Sequence, residues 1–287
     1  GDIDLFVSNL GAATTYPAYL ALNDGSGDFS EYYFIDPGNN DRFDQSFYDP
    51  VTQTGANTAY HPAVIDMGND GIPDIYFPEI TQTGGGVVDY GFARNDGTGR
   101  FSLVSDTTFR YHDAVVASGD GNDNALTGDI DRDGDLDLLI VSHLTNGTFK
   151  DDVFQLLRND GAAGYTDASG QIGGLTDFRT GRETSGIHFS IQLVDFDADG
   201  DLDIAGVNFT PDFSSIVPHY FENDGNGNFT LLPDSYYPVE SAFSTIADIN
   251  GDWLPDIVYS LQDYEVPESL WLTSKPNGTQ YVAYKIA

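Results

Sequence analysis

The chain has 287 residues, a formal net charge of −35 and no cysteine. An apolar fraction of 40% with 13% aromatics suffices for a packed core and excludes a disordered chain. The acidity makes nucleic acid and anionic membranes poor partners for the surface as a whole, and no run approaches the roughly 18–20 apolar residues of a membrane-spanning helix. The acids are informative in themselves. Only seven of the 46 are Glu, and Asp is a turn and ligand residue where Glu is a helix former.

Two sequence markers alternate along the chain. It opens on Gly1-Asp2-Ile3-Asp4-Leu5-Phe6-Val7, an acidic stretch running into a β-favouring one, followed by the turn Asn23-Asp24-Gly25-Ser26-Gly27-Asp28-Phe29. Asn-Asp-Gly between apolar runs predicts a hairpin. After a long polar connection over 36–60 come Asp66-Met67-Gly68-Asn69-Asp70-Gly71-Ile72-Pro73-Asp74 and the turn Asn95–Phe101. A second connection, 107–124, leads to Asp129-Ile130-Asp131-Arg132-Asp133-Gly134-Asp135-Leu136-Asp137 and a looser turn, Asn159–Tyr165. A third, 167–186, leads to Asp195-Phe196-Asp197-Ala198-Asp199-Gly200-Asp201-Leu202-Asp203 and the turn Asn223–Phe229. A short connection at 234–241 precedes Asp248-Ile249-Asn250-Gly251-Asp252-Trp253-Leu254-Pro255-Asp256, and Pro276-Asn277-Gly278 marks a degenerate last turn.

The nine-residue acidic unit is a recipe for holding Ca²⁺. A hard cation takes six to eight oxygens at roughly 2.3–2.6 Å, which a loop supplies only if it curls tightly. Oxygens come from positions 1, 3, 5 and 9 and the carbonyl of position 7, and Gly at position 6 makes the turn. Full ligand sets are expected at Asp129, Asp131, Asp133, Asp135 and Asp137 and at Asp195, Asp197, Asp199, Asp201 and Asp203. The set Asp248, Asn250, Asp252, Leu254 and Asp256 keeps its oxygens but has Trp253 where Gly is expected. The set Asp66, Asp70, Ile72 and Asp74 keeps Gly71 and loses its third ligand to Gly68. At the opening stretch only Asp4 remains as a side-chain ligand. About four calcium sites follow, those at Asp129 and Asp195 being the most complete. EF-hand loops differ, being flanked by helices and closed by Glu at position 12; here apolar, β-favouring residues flank the loops.

Complete units start at residues 66, 129, 195 and 248, a period near 60. With several short strands per unit, that period predicts a propeller or another closed repeat array. Approximate units are 1–58, 59–121, 122–186, 187–240 and 241–287. In the third, strand one is expected at Ala125–Gly128, strand two at Leu138–Ser142, strand three at Val153–Arg158, and strand four from Tyr165. The first unit has strands two to four and lacks strand one. An upstream segment or a neighbouring chain would supply it, the latter making a homo-oligomer by strand addition.

The two markers per repeat resemble the FG-GAP/VCBS repeat family, which includes the integrin α-chain propeller and many bacterial surface proteins. The resemblance implies an all-β fold, a β-propeller of about five four-stranded blades in this chain with an incomplete N-terminal blade, in a family whose propellers commonly have seven. It also implies calcium in the hairpin joining strands one and two of a blade.

Other chemistry is less well supported by the residues. Nearly every clustered Asp belongs to a loop, leaving no obvious acid pair for a glycosidase. The histidines (61, 112, 143, 188 and 219) have no HxH or HExxH spacing for zinc. Arg179 and Arg182 can grip a carboxylate or neutralise nearby Asp, and Tyr16, Tyr19, Tyr32, Tyr33, Tyr236 and Tyr237 can stack on sugar rings or serve as ordinary strand residues. The expectation is an extracellular, calcium-stabilised, non-catalytic propeller that takes a glycan or protein ligand on its long loops. The alternatives are a protomer of a surface fibre and a polysaccharide-active enzyme. Sequons at Asn146, Asn208, Asn228 and Asn277 permit glycosylation.

Overall fold

A computed structural model describes residues 3–7, 19–34, 42–43, 57–59, 62–77, 79–82, 86–88, 91–104, 124–145, 150–161, 164–173, 187–209, 216–232, 243–248, 256–260, 270–274 and 282–286. Among them the fold is all-β, built from mainly antiparallel sheets with no α-helix; a 3-10 turn lies at Ser169–Gln171. No described helix is long and apolar enough to cross a membrane. The chain divides into two compact units. The first is Gly1–Ala125 with Gly161–Gly164, and the second is Leu126–Asp160 with Tyr165–Ala287.

In the first unit, β1 (Leu5–Val7), β2 (Tyr19–Leu22) and β3 (Glu31–Phe34) form a three-stranded meander. A four-stranded sheet follows, made of β5 (Ala63–Ile65), β6 (Asp74–Phe77), β9 (Gly91–Asn95) and β10 (Phe101–Val104), hydrogen-bonded in that order. From the segment before β5 and the one between β6 and β9, the chain makes a small extra sheet of β4 (Asn57–Ala59), β7 (Glu79–Gln82) and β8 (Gly86–Val88), which the repeat pattern does not predict. Strand β5 alternates, with Ala63 and Ile65 buried and Val64 exposed, whereas every residue of β6 is buried. A strand covered on both faces is continuously apolar, and only Asp74 breaks the run. Leu20, Phe43, Ile75, Phe77, Ala93 and Phe101 form the core of this unit.

The second unit repeats the four-stranded plan. Strands β11 (Asn124–Gly128), β12 (Asp137–Thr145), β13 (Lys150–Asn159) and β14 (Tyr165–Asp167) form one sheet. These bounds match the hairpins expected for the third repeat, with both long strands extended at their ends. The next sheet is β16 (Ile187–Val194), β17 (Asp203–Phe209), β18 (Ile216–Asn223) and β19 (Phe229–Leu231). The last is β20 (Phe243–Ala247), β21 (Asp256–Ser260), β22 (Leu270–Ser274) and β23 (Val282–Ile286). One shared core, including Ile130, Leu139, Phe154, Ile191, Ile204 and Phe221, joins the first two of these sheets. Each large side chain buried there contributes about 1.5–3 kcal/mol.

A further connection was not legible in the sequence. After β14, the two-residue strand β15 (Ile172–Gly173) leaves its own sheet and pairs in parallel with β19, Ile172 opposite Phe229. The first unit has the same device: Phe43 bridges in parallel to Phe101, and the Phe101 amide donates to the Arg42 carbonyl at 2.7 Å. In both cases the receiving residue is the Phe that ends an Asn-Asp-Gly-x-Gly-x-Phe turn. A Cβ at Gly173 would lie 2.7 Å from the Phe229 carbonyl oxygen, so the close approach requires glycine.

Candidate metal centre

The acidic loops fall where the sequence puts them, between the first and second strands of three sheets: Asp66–Asp74 joins β5 to β6, Asp129–Asp137 joins β11 to β12, and Asp195–Asp203 joins β16 to β17. Each loop curls around its first carboxylate. The sixth-position amides of Gly71, Gly134 and Gly200 donate to Oδ2 of Asp66, Asp129 and Asp195 at 2.8, 3.2 and 3.0 Å. Those glycines have φ of +78°, +97° and +97°. Position 4 is left-handed too, at Asn69, Arg132 and Ala198 (φ +47°, +64° and +64°), a strain that no sequence feature at Arg132 or Ala198 announced. Position-5 carboxylates accept from the amide two residues on, Asp135 to Asp133 at 2.9 Å and Asp201 to Asp199 at 3.1 Å.

The ninth carboxylate does more than the sequence suggested. Its Oδ2 accepts from the position-2 amide: Met67 to Asp74 at 3.0 Å, Ile130 to Asp137 at 2.8 Å and Phe196 to Asp203 at 3.1 Å. Its Oδ1 accepts from the Asn amide that opens the hairpin turn: Asn95 to Asp74 at 2.7 Å, Asn159 to Asp137 at 2.9 Å and Asn223 to Asp203 at 2.8 Å. Asp4 receives the Asn23 amide in the same way, at 2.9 Å. In these four described repeats the two markers are therefore one structural joint. Asp74, Asp137 and Asp203 are buried, and burial pushes the Asp137 carboxyl up to about 6 and that of Asp203 up to about 7. Burial also raises Asp74 and Asp131 above the ordinary range.

Two loops gather carboxylates into a cluster. Oxygens of Asp129, Asp131 and Asp137 all lie within 4.8 Å of one another, as do those of Asp195, Asp197 and Asp203. Three acids so close repel one another unless a proton or a cation lies among them. Oδ1 of Asp129 is buried and has no hydrogen-bond partner, which leaves a desolvated oxygen to be satisfied by something other than the protein. A donor set made only of oxygens suits a hard divalent cation. The residues therefore fit a metal ion at both loops.

The remaining predicted ligands are less well gathered. Asp66, Asp70 and Asp74 do not converge as the two triads do. Where the third ligand would stand, a Cβ at Gly68 would lie 3.2 Å from Nη2 of Arg94, and the same guanidinium is 3.9 Å from Asp70 Oδ2. Asp133, Asp135, Asp199 and Asp201 lie outside the triads. Asp201 is buried against Arg132, whose Nη2 is 3.2 Å from its Oδ2, and burial pushes that carboxyl up to about 6 despite the guanidinium. Asp4 immediately precedes β1, Ile72 lies in the Asp66 loop, Asp248 is exposed after β20, and Asp256 opens β21. Asn250, Asp252 and Leu254 lie outside the described residues, as do His61, His112, Arg179, Arg182, Tyr16, Tyr236, Tyr237, Asn146 and Asn277. His143, His188 and His219 fall within β12, β16 and β18. Tyr19 and Tyr32 meet edge to face, 6.3 Å apart, and Arg42 lies over the Tyr33 ring at 5.0 Å.

Compared with known proteins, the chain matches no family model and no curated sequence.

Proposed function

We propose that the chain is a calcium-stabilised, non-catalytic recognition module of FG-GAP/VCBS type, a β-propeller whose four-stranded blades carry metal in their first hairpins. Its place is outside the cell, and it takes a glycan or protein ligand on the long connections between blades. One observation carries this reading: two strand-flanked loops each bring three carboxylates to one point, and one of them buries an oxygen without a partner. Asp129, Asp131 and Asp137 would hold one ion, and Asp195, Asp197 and Asp203 the other. Calcium suits a curled loop rich in carboxylate and carbonyl oxygens better than magnesium, which demands near-ideal octahedral geometry and keeps its waters. When bound, the ion supplies positive charge that draws the loop's carboxylates together. The chain's own amides then fix the first and ninth carboxylates, joining each loop to the hairpin turn beside it.

The supporting arguments for a recognition role are physical. Loop sites of this kind often fill only at millimolar calcium, an extracellular level. Long connections on a rigid sheet scaffold are where binding surfaces are usually carried. The clustered acids are engaged by loop amides and arginines, which leaves them poorly placed for acid–base chemistry. Isothermal titration with calcium, followed by glycan-array and cell-surface binding with and without EDTA, tests the reading. Saturable calcium uptake and EDTA-sensitive binding are expected. Absence of calcium uptake, or turnover of a polysaccharide, would overturn it.

A further inference from the structure

The hairpin turn Asn223–Phe229 is wedged between the two metal loops of the second unit. The Asn223 side-chain amide donates to the Ile130 carbonyl in the Asp129 loop and to the Leu202 carbonyl in the Asp195 loop, both at 2.9 Å. Its backbone amide holds Asp203 Oδ1 at 2.8 Å. Its own Oδ1 accepts from the amides of Gly225 and Gly227 at 3.2 and 3.0 Å, so the side chain has no freedom to follow one loop and abandon the other. A Cβ at Gly227 would lie 3.6 Å from Ile130 Cγ2 and 3.7 Å from Asp131 Cβ. Charge ties the loops as well: Arg132, in the first, has its guanidinium 3.2 Å from Asp201 and 3.9 Å from Asp199 in the second.

We infer that the two loops do not take their ions independently: occupation of either one strengthens the other, through Asn223. This inference rests on the metal-binding reading above. An ion in the Asp129 loop fixes that loop's backbone, and with it the Ile130 carbonyl that anchors Asn223. Asn223 so anchored presents its amide to Asp203, a ligand of the second loop, in the arrangement that the second ion needs. The entropy of ordering the shared turn is spent once for two ions, which makes the coupling positive. Linkage requires it to act equally in both directions. A coupling of the usual size changes affinity roughly fivefold or more.

The test is a calcium titration of the full chain, followed by the backbone amide resonances of Gly134 and Gly200, each of which reports on its own loop. Asp197→Asn should move the Gly134 midpoint to roughly fivefold higher calcium or beyond, and Asp131→Asn should move the Gly200 midpoint by the same factor. Asn223→Asp keeps an acceptor for Gly225 and Gly227 but removes the bridging donor. With it, the dependence of each midpoint on the other loop should fall well below fivefold, the Arg132 ion pairs alone remaining between the loops. If Asn223→Asp fails to fold, the reciprocity of the two single-loop variants decides alone. Midpoints unchanged by loss of the other loop would overturn the coupling while leaving two metal sites standing. Amides that ignore calcium in the unsubstituted chain would overturn both this inference and the metal reading beneath it.

Discussion

The Asp129 and Asp66 loops are built on one backbone plan and end in different electrostatic states. Both place a left-handed residue at position 4 and glycine at position 6, and both lock the ninth carboxylate between two amides. In both, an arginine precedes the Asn of the neighbouring turn. Arg158 meets the third-position carboxylate, with Nε 3.2 Å from Asp131 Oδ2, whereas Arg94 finds Gly68 there and leans toward Asp70. The difference teaches that curling the loop is the work of backbone amides and first and ninth aspartates. Gathering charge for a metal depends on the third, and a loop can keep its shape without it.

The strongest test of this contrast is metal removal. At a hundredfold excess over Kd each bound ion adds about 2.7 kcal/mol, so EDTA should lower the melting temperature substantially, and identical melts with and without calcium would break the comparison at its root. Next is pH. In metal-free protein, raised carboxyl values near 6 for Asp137 and 7 for Asp203, against an ordinary 3.8, mean that these groups stabilise the fold while protonated. That contribution is complete below about pH 3.8 and is lost as pH rises through about 7. The melting temperature in EDTA should therefore fall between about pH 5 and pH 8 while the gain from calcium grows; a flat or rising profile in EDTA would contradict the burial argument.

Smaller effects separate the two loops directly. In saturating calcium, Asp131→Ala should cost about 1–3 kcal/mol by weakening one site, whereas Asp70→Ala should stay within about 0.5 kcal/mol, its partner being an exposed arginine. Equal losses in chemical denaturation would erase the ranking. Gly68→Asp restores the missing carboxylate at a position whose nearest neighbour is the far end of a flexible side chain. It should raise calcium stoichiometry by one ion, and an unchanged stoichiometry would show that the third ligand is not what the Asp66 loop lacks. The smallest change is Ala198→Gly, which relieves a left-handed alanine and should stabilise the protein by about 1 kcal/mol with or without metal.

Much of this arrangement was legible because it is local. The acidic nonapeptides, the Asn-Asp-Gly turns and the apolar runs between them put strands β11 to β14 within a few residues of their places, since loop chemistry and side-chain alternation act over neighbours. What escaped depends on partners distant in sequence. The bond from Asn159 to Asp137, the reach of Arg132 to Asp201 and the pairing of Ile172 with Phe229 carry no signal in either segment alone. The extra sheet of β4, β7 and β8 escaped for a related reason, being drawn from pieces that lie on both sides of a loop and look like connection.

The parallel pairings at Phe43 and Ile172 have a consequence for how the chain can change. Each moors a point of the chain between two sheets to an edge strand of the following one, so a connection lengthened after Gly173 would start from a residue that is already tied down. Closing such a loop costs only about 0.6 kcal/mol for each doubling of its length. Variation can therefore accumulate in that stretch, in length as well as composition, at little expense to the sheets that frame it.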